Sequence, residues 1–188
     1  MIRRIACSLA IAALATLAAH AQQIVVEPND YRTEEYRAPT PPGLKGARVV
    51  TTPEAEAIWR EKRGAFVDVM PRPPKPANLP LGTVWRDKPR HHIPGSIWLP
   101  DTGYGQLAAE TDAYLRDGLT SASAGNRDAM LVIYCQANCW MSWNAAKRAL
   151  SYGYTNIAWF PEGTDGWEQA GLPLVDAQPA SRQGSPSK

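Results

Sequence analysis

Met130-Leu131-Val132-Ile133-Tyr134-Cys135-Gln136-Ala137-Asn138-Cys139-Trp140-Met141-Ser142-Trp143 changes character twice in one short stretch. The first five residues are apolar without interruption and rich in β-branched types, which is how a strand buried on both faces reads. A short polar loop with two cysteines follows. From Ser142 to Tyr152 the apolar residues return at helical spacing, and Gly153 suits the helix C-terminus. A doubly buried strand leading through a loop into a helix is half of a parallel βαβ unit.

The same alternation extends outward in both directions. Upstream, Arg48-Val49-Val50, Ala65-Phe66-Val67-Asp68-Val69 and Ile97-Trp98-Leu99 read as short strands, and downstream Asn156-Ile157-Ala158-Trp159-Phe160 reads as the last. Thr52 caps a predicted helix with Pro53 in its first turn and Ala55, Ile58 and Trp59 on its apolar face. A second helix is predicted over Gln106 to Leu115, a turn over Ser121 to Asn126, and a turn with a short helix over Gly163 to Ala170. Between them, residues 71 to 90 hold Pro71, Pro73, Pro74, Pro76, Pro80 and Pro89, which forbid regular structure. A loop of that length in a small domain points to a role at a site. The expected fold is α/β, a single domain with a mostly parallel central sheet flanked by helices.

The N-terminus reads as an address. Arg3 and Arg4 precede an apolar run from Ile5 to Ala19 that closes on Ala19-His20-Ala21, the layout of a cleavable secretory signal. The run is shorter than the roughly 20 residues of a membrane-spanning helix. The expected organisation is a signal peptide over 1–21, a proline-rich extended segment over 22–47, the domain over 48–176 and a disordered tail over 177–188. The location expected is the bacterial periplasm, with no membrane span after cleavage. Loss of Arg3 and Arg4 lowers the Lys+Arg count from 20 to 18, equal to the 18 Asp+Glu. A neutral chain without a basic cluster is not built for nucleic acid.

Cleavage also removes Cys7 and leaves Cys135 and Cys139. Two close cysteines in an oxidising compartment are redox-active, disulfide-bonded or metal-bound. Ligands of open parallel sheets bind outside the carboxyl ends of the strands, where Cys135 falls. A free cysteine has a pKa of about 8.5, and a nearby helix N-terminus favours its thiolate. Cys135 is therefore the candidate nucleophile. The competing reading is a buried structural thiol, since cysteine packs like a small hydrophobe.

Four separate stretches carry a family resemblance. Phe66-Val67-Asp68-Val69, His92-Ile93-Pro94-Gly95-Ser96, Val132-Ile133-Tyr134-Cys135 and Glu162-Gly163 with Gly166-Trp167 and Gly171-Leu172-Pro173-Leu174 are similar, in that order, to the signatures of rhodanese domains. The stretch Cys135 to Ala149 with Gly163-Thr164-Asp165-Gly166-Trp167 also resembles the CXXCW-motif rhodanese-like proteins associated with catabolism that depends on pyrroloquinoline quinone. The resemblance implies a rhodanese-type sulfurtransferase in which Cys135 carries a persulfide within a loop formed by Gln136, Ala137, Asn138, Trp140, Met141 and Ser142. It also implies a periplasmic setting of alcohol oxidation by quinoprotein dehydrogenases. Active rhodaneses carry Gly and usually Arg in that loop, where this chain has Asn138, Cys139 and Trp140. A neutral Trp supplies neither the charge nor the forked donors of a guanidinium, so efficient use of thiosulfate is not expected.

Cys139 adds a second chemistry. Cysteines four residues apart in a loop can bring their Cα atoms within the roughly 4.4–6.8 Å of a disulfide, so Cys139 is the candidate resolving thiol. Cys-x-x-x-Cys spacing also suits copper, with Met141, His91 and His92 as further donors on paper. The expectation is nevertheless no metal and no cofactor. Asp68 and His92 are expected to be structural, Trp140 and Trp143 to line the site mouth or the core, and Lys147 and Arg148 to face solvent. The expected partners are a small sulfur donor or thiol, and a periplasmic quinoprotein dehydrogenase or cytochrome. Two alternatives stand beside sulfur transfer: a thiol–disulfide redox protein, and a non-catalytic accessory protein of a quinoprotein dehydrogenase.

Overall fold

The computed structural model describes residues 25–86 and 88–182. The expected signal peptide over 1–21 lies outside them, as do the last six residues. In chain order the elements are β1 (Arg48–Val49), α1 (Thr52–Arg60), β2 (Ala65–Asp68), β3 (His91–His92), β4 (Ile97–Trp98), α2 (Ala109–Ala122), β5 (Leu131–Tyr134), α3 (Trp140–Ser151), β6 (Ile157–Phe160), α4 (Gly163–Gln169) and β7 (Val175–Asp176). Five strands form one parallel sheet in the order β1-β6-β5-β2-β4, and β3 pairs antiparallel with β7 apart from it.

The period of two along each strand divides the core. Val67, Leu131, Ile133, Ile157 and Trp159 pack with Leu115, Leu119, Trp143 and Ala146 of α2 and α3. Phe66, Val132, Tyr134, Ala158 and Phe160 pack with Ala55, Ile58 and Trp167 of α1 and α4. Every residue of β5 and β6 is buried, as expected of central parallel strands covered on both faces.

Several boundaries differ from the sequence reading. The cap of α1 is Thr51, one residue earlier than expected; the Glu54 carboxylate accepts from the Thr51 N–H at 2.9 Å and from its hydroxyl at 3.0 Å. Helix α2 continues past Leu115, its expected end, to Ala122, and the turn expected from Ser121 begins two residues later, at Ser123; Gly118 lies inside the helix, there for packing and not for a bend. A Cβ on Gly118 would lie 2.5 Å from both methyl carbons of Leu99. Residues 177–182, expected within a disordered tail, are hydrogen-bonded: Ala177 N donates to Arg90 O at 2.7 Å and Ala180 N to Trp98 O at 2.8 Å.

The segment before β1 is extended as expected, but it is docked, not loosely packed. It crosses α3 as a strap. The Asn144 side chain holds it at Arg32, accepting from Arg32 N at 3.0 Å and donating to Arg32 O at 2.8 Å. Trp140 Nε1 donates to Pro39 O, Trp143 Nε1 to Gly43 O, and Lys147 Nζ to Pro28 O. Arg148, expected in solvent, is buried; it donates to Gly105 O at 2.6 Å and stacks on the Tyr31 ring. Lys147 is half-buried, with its ammonium over the Trp143 ring.

Candidate active site

Cys135 follows the last residue of β5 at the carboxyl edge of the sheet. Its carbonyl is gripped by three donors: Thr164 N at 3.1 Å, Thr164 Oγ1 at 3.2 Å and Arg90 Nη2 at 3.2 Å. A glycine makes the approach of α4 possible. A Cβ on Gly163 would stand 2.7 Å from Cys135 O, and its φ of +52° favours glycine as well. The opposite side of the loop is set by the strap. Arg37 pairs antiparallel with Cys139, Trp140 N donates to Tyr36 O at 2.9 Å, and Arg37 Nη1 donates to Ala137 O at 3.1 Å. Asn138 turns the chain with φ +53°, a left-handed position that Asn tolerates.

Cys135 and Cys139 are joined in a disulfide with their Cα atoms 6.4 Å apart. Both are buried, Cys135 completely. Helix α3 begins at Trp140, two residues before its expected start, so the cap position and the positive end of the helix fall on Cys139. The Ser142 hydroxyl donates to Cys139 O and accepts from Trp159 Nε1, which ties that first turn to β6. Trp140 and Trp143 are core residues in edge-to-face contact, not the mouth of a site. Met141 and Ser142 are buried as well. Of the expected loop residues only Gln136, Ala137 and Asn138 reach solvent.

Asp68, at the end of β2, is completely buried and forms a forked pair with Arg90, Nε to Oδ2 at 2.8 Å and Nη2 to Oδ1 at 3.1 Å. Burial pushes the Asp68 carboxyl above its usual range, against the opposing pull of Arg90. His92 is held below its usual range by burial and then by Arg90. Tyr134, whose hydroxyl donates to Ser96 Oγ and accepts from Ile93 N, is raised well above its usual range by burial. The Tyr134 hydroxyl fixes the His92–Ser96 turn against β5, a structural duty for the motif.

A cleft of about 520 Å³ opens beside the loop, and Met70, Lys88, Arg90, Trp98, Gln136 and Thr164 are among its walls. Met70 and Gln136 flank Cys135, with Met70 Sδ 3.4 Å from Cys135 Sγ. A guanidinium from the proline-rich segment, that of Arg90, reaches the cysteine loop and is engaged there by Asp68 and the Cys135 carbonyl. The sequence reading did not single out Arg90, Met70 or Thr164. One signal was available for Arg90: an aspartate at the end of a buried strand needs a counter-charge.

Residues 53–170 match the Rhodanese-like domain family, and the chain belongs to it. Among solved structures it is similar to a thiosulfate sulfurtransferase from Pseudomonas aeruginosa, at 16% identity and TM-score 0.47, covering 71% of this chain and 21% of that one. It is also similar to a polysulfide-sulfur transferase homodimer from Wolinella succinogenes, at 15% identity and TM-score 0.45, covering 74% and 84%. A human single-domain sulfurtransferase aligns at 23% identity and TM-score 0.39, covering 65% and 96%. The chain thus spans 21% of the length of the Pseudomonas protein. No curated protein matches the chain.

Proposed function

We propose that this chain is a periplasmic sulfur carrier in which Cys135 takes up sulfane sulfur and Cys139 resolves the persulfide. The observation that carries the reading is the bonded Cys135–Cys139 pair at the carboxyl edge of a rhodanese-like sheet, beside the cleft. In the reduced protein the Cys135 thiolate attacks the terminal sulfur of a polysulfide or persulfide donor. The donor's S–S bond breaks, its remaining thiolate leaves, and Cys135 holds the sulfur. An acceptor thiolate can then take the outer sulfur. Otherwise Cys139 attacks Cys135 Sγ, hydrosulfide leaves and the disulfide forms. In that branch two thiols supply two electrons to the sulfane sulfur, and a dithiol reductant resets the pair.

Secretion is supported by the N-terminal layout, and the setting of alcohol oxidation that depends on pyrroloquinoline quinone by the CXXCW resemblance. A quinoprotein dehydrogenase or cytochrome is the partner that setting implies. A second reading, a thiol–disulfide redox protein, draws on the same bonded pair. Intact mass of the reduced protein after a polysulfide separates the two. Sulfur transfer requires Cys139→Ser to retain one added sulfur on Cys135, with Cys135→Ser retaining none. A persulfide on the Cys135→Ser protein would remove the assignment, and a wild-type pair that oxidises without ever gaining sulfur or releasing sulfide would favour the redox reading.

A further inference from the structure

Three sulfur atoms converge at the end of β2 and β5. Two belong to Cys135 and Cys139, and the third is Met70 Sδ, 3.4 Å from Cys135 Sγ. Since a disulfide sulfur has no proton to donate, this is a contact between sulfurs and not a hydrogen bond. Met70 is not a loose gap-filler. Its N–H donates to Asp68 Oδ1 at 2.9 Å and its carbonyl accepts from Trp98 Nε1 at 2.7 Å, so its backbone is fixed on both sides. It also lines the cleft, which gives the sulfur cluster a path to solvent while the cysteines themselves are buried.

We propose that the reduced form binds one copper(I) ion through Cys135 Sγ, Cys139 Sγ and Met70 Sδ. The choice of metal follows from the donors. Thiolate and thioether together select a soft ion, and copper(I) accepts both. Zinc takes four ligands drawn from cysteine, histidine and carboxylate. Among the described residues no group of three such side chains could hold a metal. Met141 and His91, conceivable donors from the sequence, do not serve: Met141 is buried in the core, and His91 is exposed and paired with Asp176 at 3.2 Å. Two thiolates and one copper(I) leave one negative charge. Arg37, bonded to the Ala137 carbonyl, sets positive charge beside the loop that suits it, while the charge of Arg90 is balanced by Asp68.

Binding is gated by oxidation state. The disulfide must first be opened by a dithiol reductant, which supplies two electrons and two protons and leaves as its own disulfide. Copper(I) then displaces the two thiol protons, so affinity rises with pH. The proposal does not rest on sulfur transfer, and metal retention can fail while persulfide formation succeeds.

The test is a titration of the reduced, secreted chain with copper(I), without oxygen, against a chromogenic copper(I) chelator. One ion per chain is expected to be withheld from the chelator by the reduced protein and none by the disulfide form. Met70→Leu should weaken retention by at least about tenfold, the scale of losing a supporting or direct metal contact. X-ray absorption should find three sulfur neighbours in wild type and two in the variant. Selenomethionine-labelled wild type covers a variant that fails to fold: at the selenium edge a copper neighbour is expected. Retention no better than that of a Cys135→Ser/Cys139→Ser protein would overturn the site. Copper bound by two sulfurs without a selenium neighbour would overturn the assignment of Met70.

Discussion

Replacing Arg90 with methionine tests the electrostatic frame of the site. The change keeps much of the stem and removes a guanidinium that is largely buried against a carboxylate with no exposure at all. Breaking a buried pair from one side typically costs about 3–5 kcal/mol, because the remaining charge is stranded. Asp68 Oδ1 retains the Met70 N–H at 2.9 Å, which places the expected loss near the lower end, about 3 kcal/mol. The pH dependence carries the sign. Burial already holds the Asp68 carboxyl above its usual 3.8, and loss of Arg90 removes the main opposing pull. A folded-state pKa above the unfolded one means that the native state binds more protons, so the variant loses stability as pH rises between the two values. Urea unfolding with the disulfide intact, at several pH values from 4 upward (about the unfolded Asp pKa), should show the gap to wild type widening as pH rises. Asp68→Asn on top of Arg90→Met should recover much of the loss, since no buried charge is left. A single variant that loses under about 1 kcal/mol with no pH trend would refute the account of a stranded carboxylate.

Three further perturbations have defined outcomes. The Glu54 carboxyl is held down at about 2 from its usual 4.5, first by the Thr51 N–H and then by Arg48 and the Thr51 hydroxyl. Its stabilisation is complete above the usual value and lost as pH falls through the lower one, so acid titration of wild type against Glu54→Gln should show their difference closing toward the acid end. Gly163→Ala forces a Cβ to within 2.7 Å of Cys135 O at positive φ, and calorimetry should read a loss of about 1–3 kcal/mol; an unchanged melting temperature would mean that α4 does not bear on the cysteine loop. Asn144→Leu strips Arg32 of both backbone partners and Gly103 O of a donor at 2.9 Å. Proteolysis within residues 25–47 should then outpace wild type, and equal rates would show that the strap is held elsewhere.

The sheet was legible because its strands are short, apolar and separated by strong punctuation; β5 and β6 were expected within one residue of where they lie. Helix limits were less so. Gly118 in α2 resembles a breaker until Leu99 is known to need the space of its missing side chain. The start of α3 was displaced because its cap is Cys139, which is not among the usual capping residues. Of the site, both cysteines and their loop could be read from local spacing. Met70 and the strap could not, and for Arg90 the need of Asp68 for a counter-charge did not say which cation answers it, because each meets the loop through contacts between segments remote in sequence. Arg90 lies 45 residues from the carbonyl it holds and Asn144 is 112 from Arg32.

The strap changes what the buried cysteines imply. A parallel sheet with a nucleophile at its carboxyl edge would ordinarily leave that edge open for ligands. Here Tyr36 and Arg37 occupy the backbone positions beside Cys139 and Trp140, so one flank of the loop is bonded to the chain itself. The cleft is on the flank of Cys135, between Met70, Arg90 and Gln136. The two cysteines are therefore not equivalent in surroundings, although both are buried when bonded. Cys135 is the one whose neighbours, Met70 and Gln136, line the cleft. Cys139 caps α3, is pinned through its neighbours to the strap and is bonded to Cys135. The proposed division into an entering Cys135 and a resolving Cys139 draws on that asymmetry, which follows from where the N-terminal segment docks more than from the spacing of the cysteines.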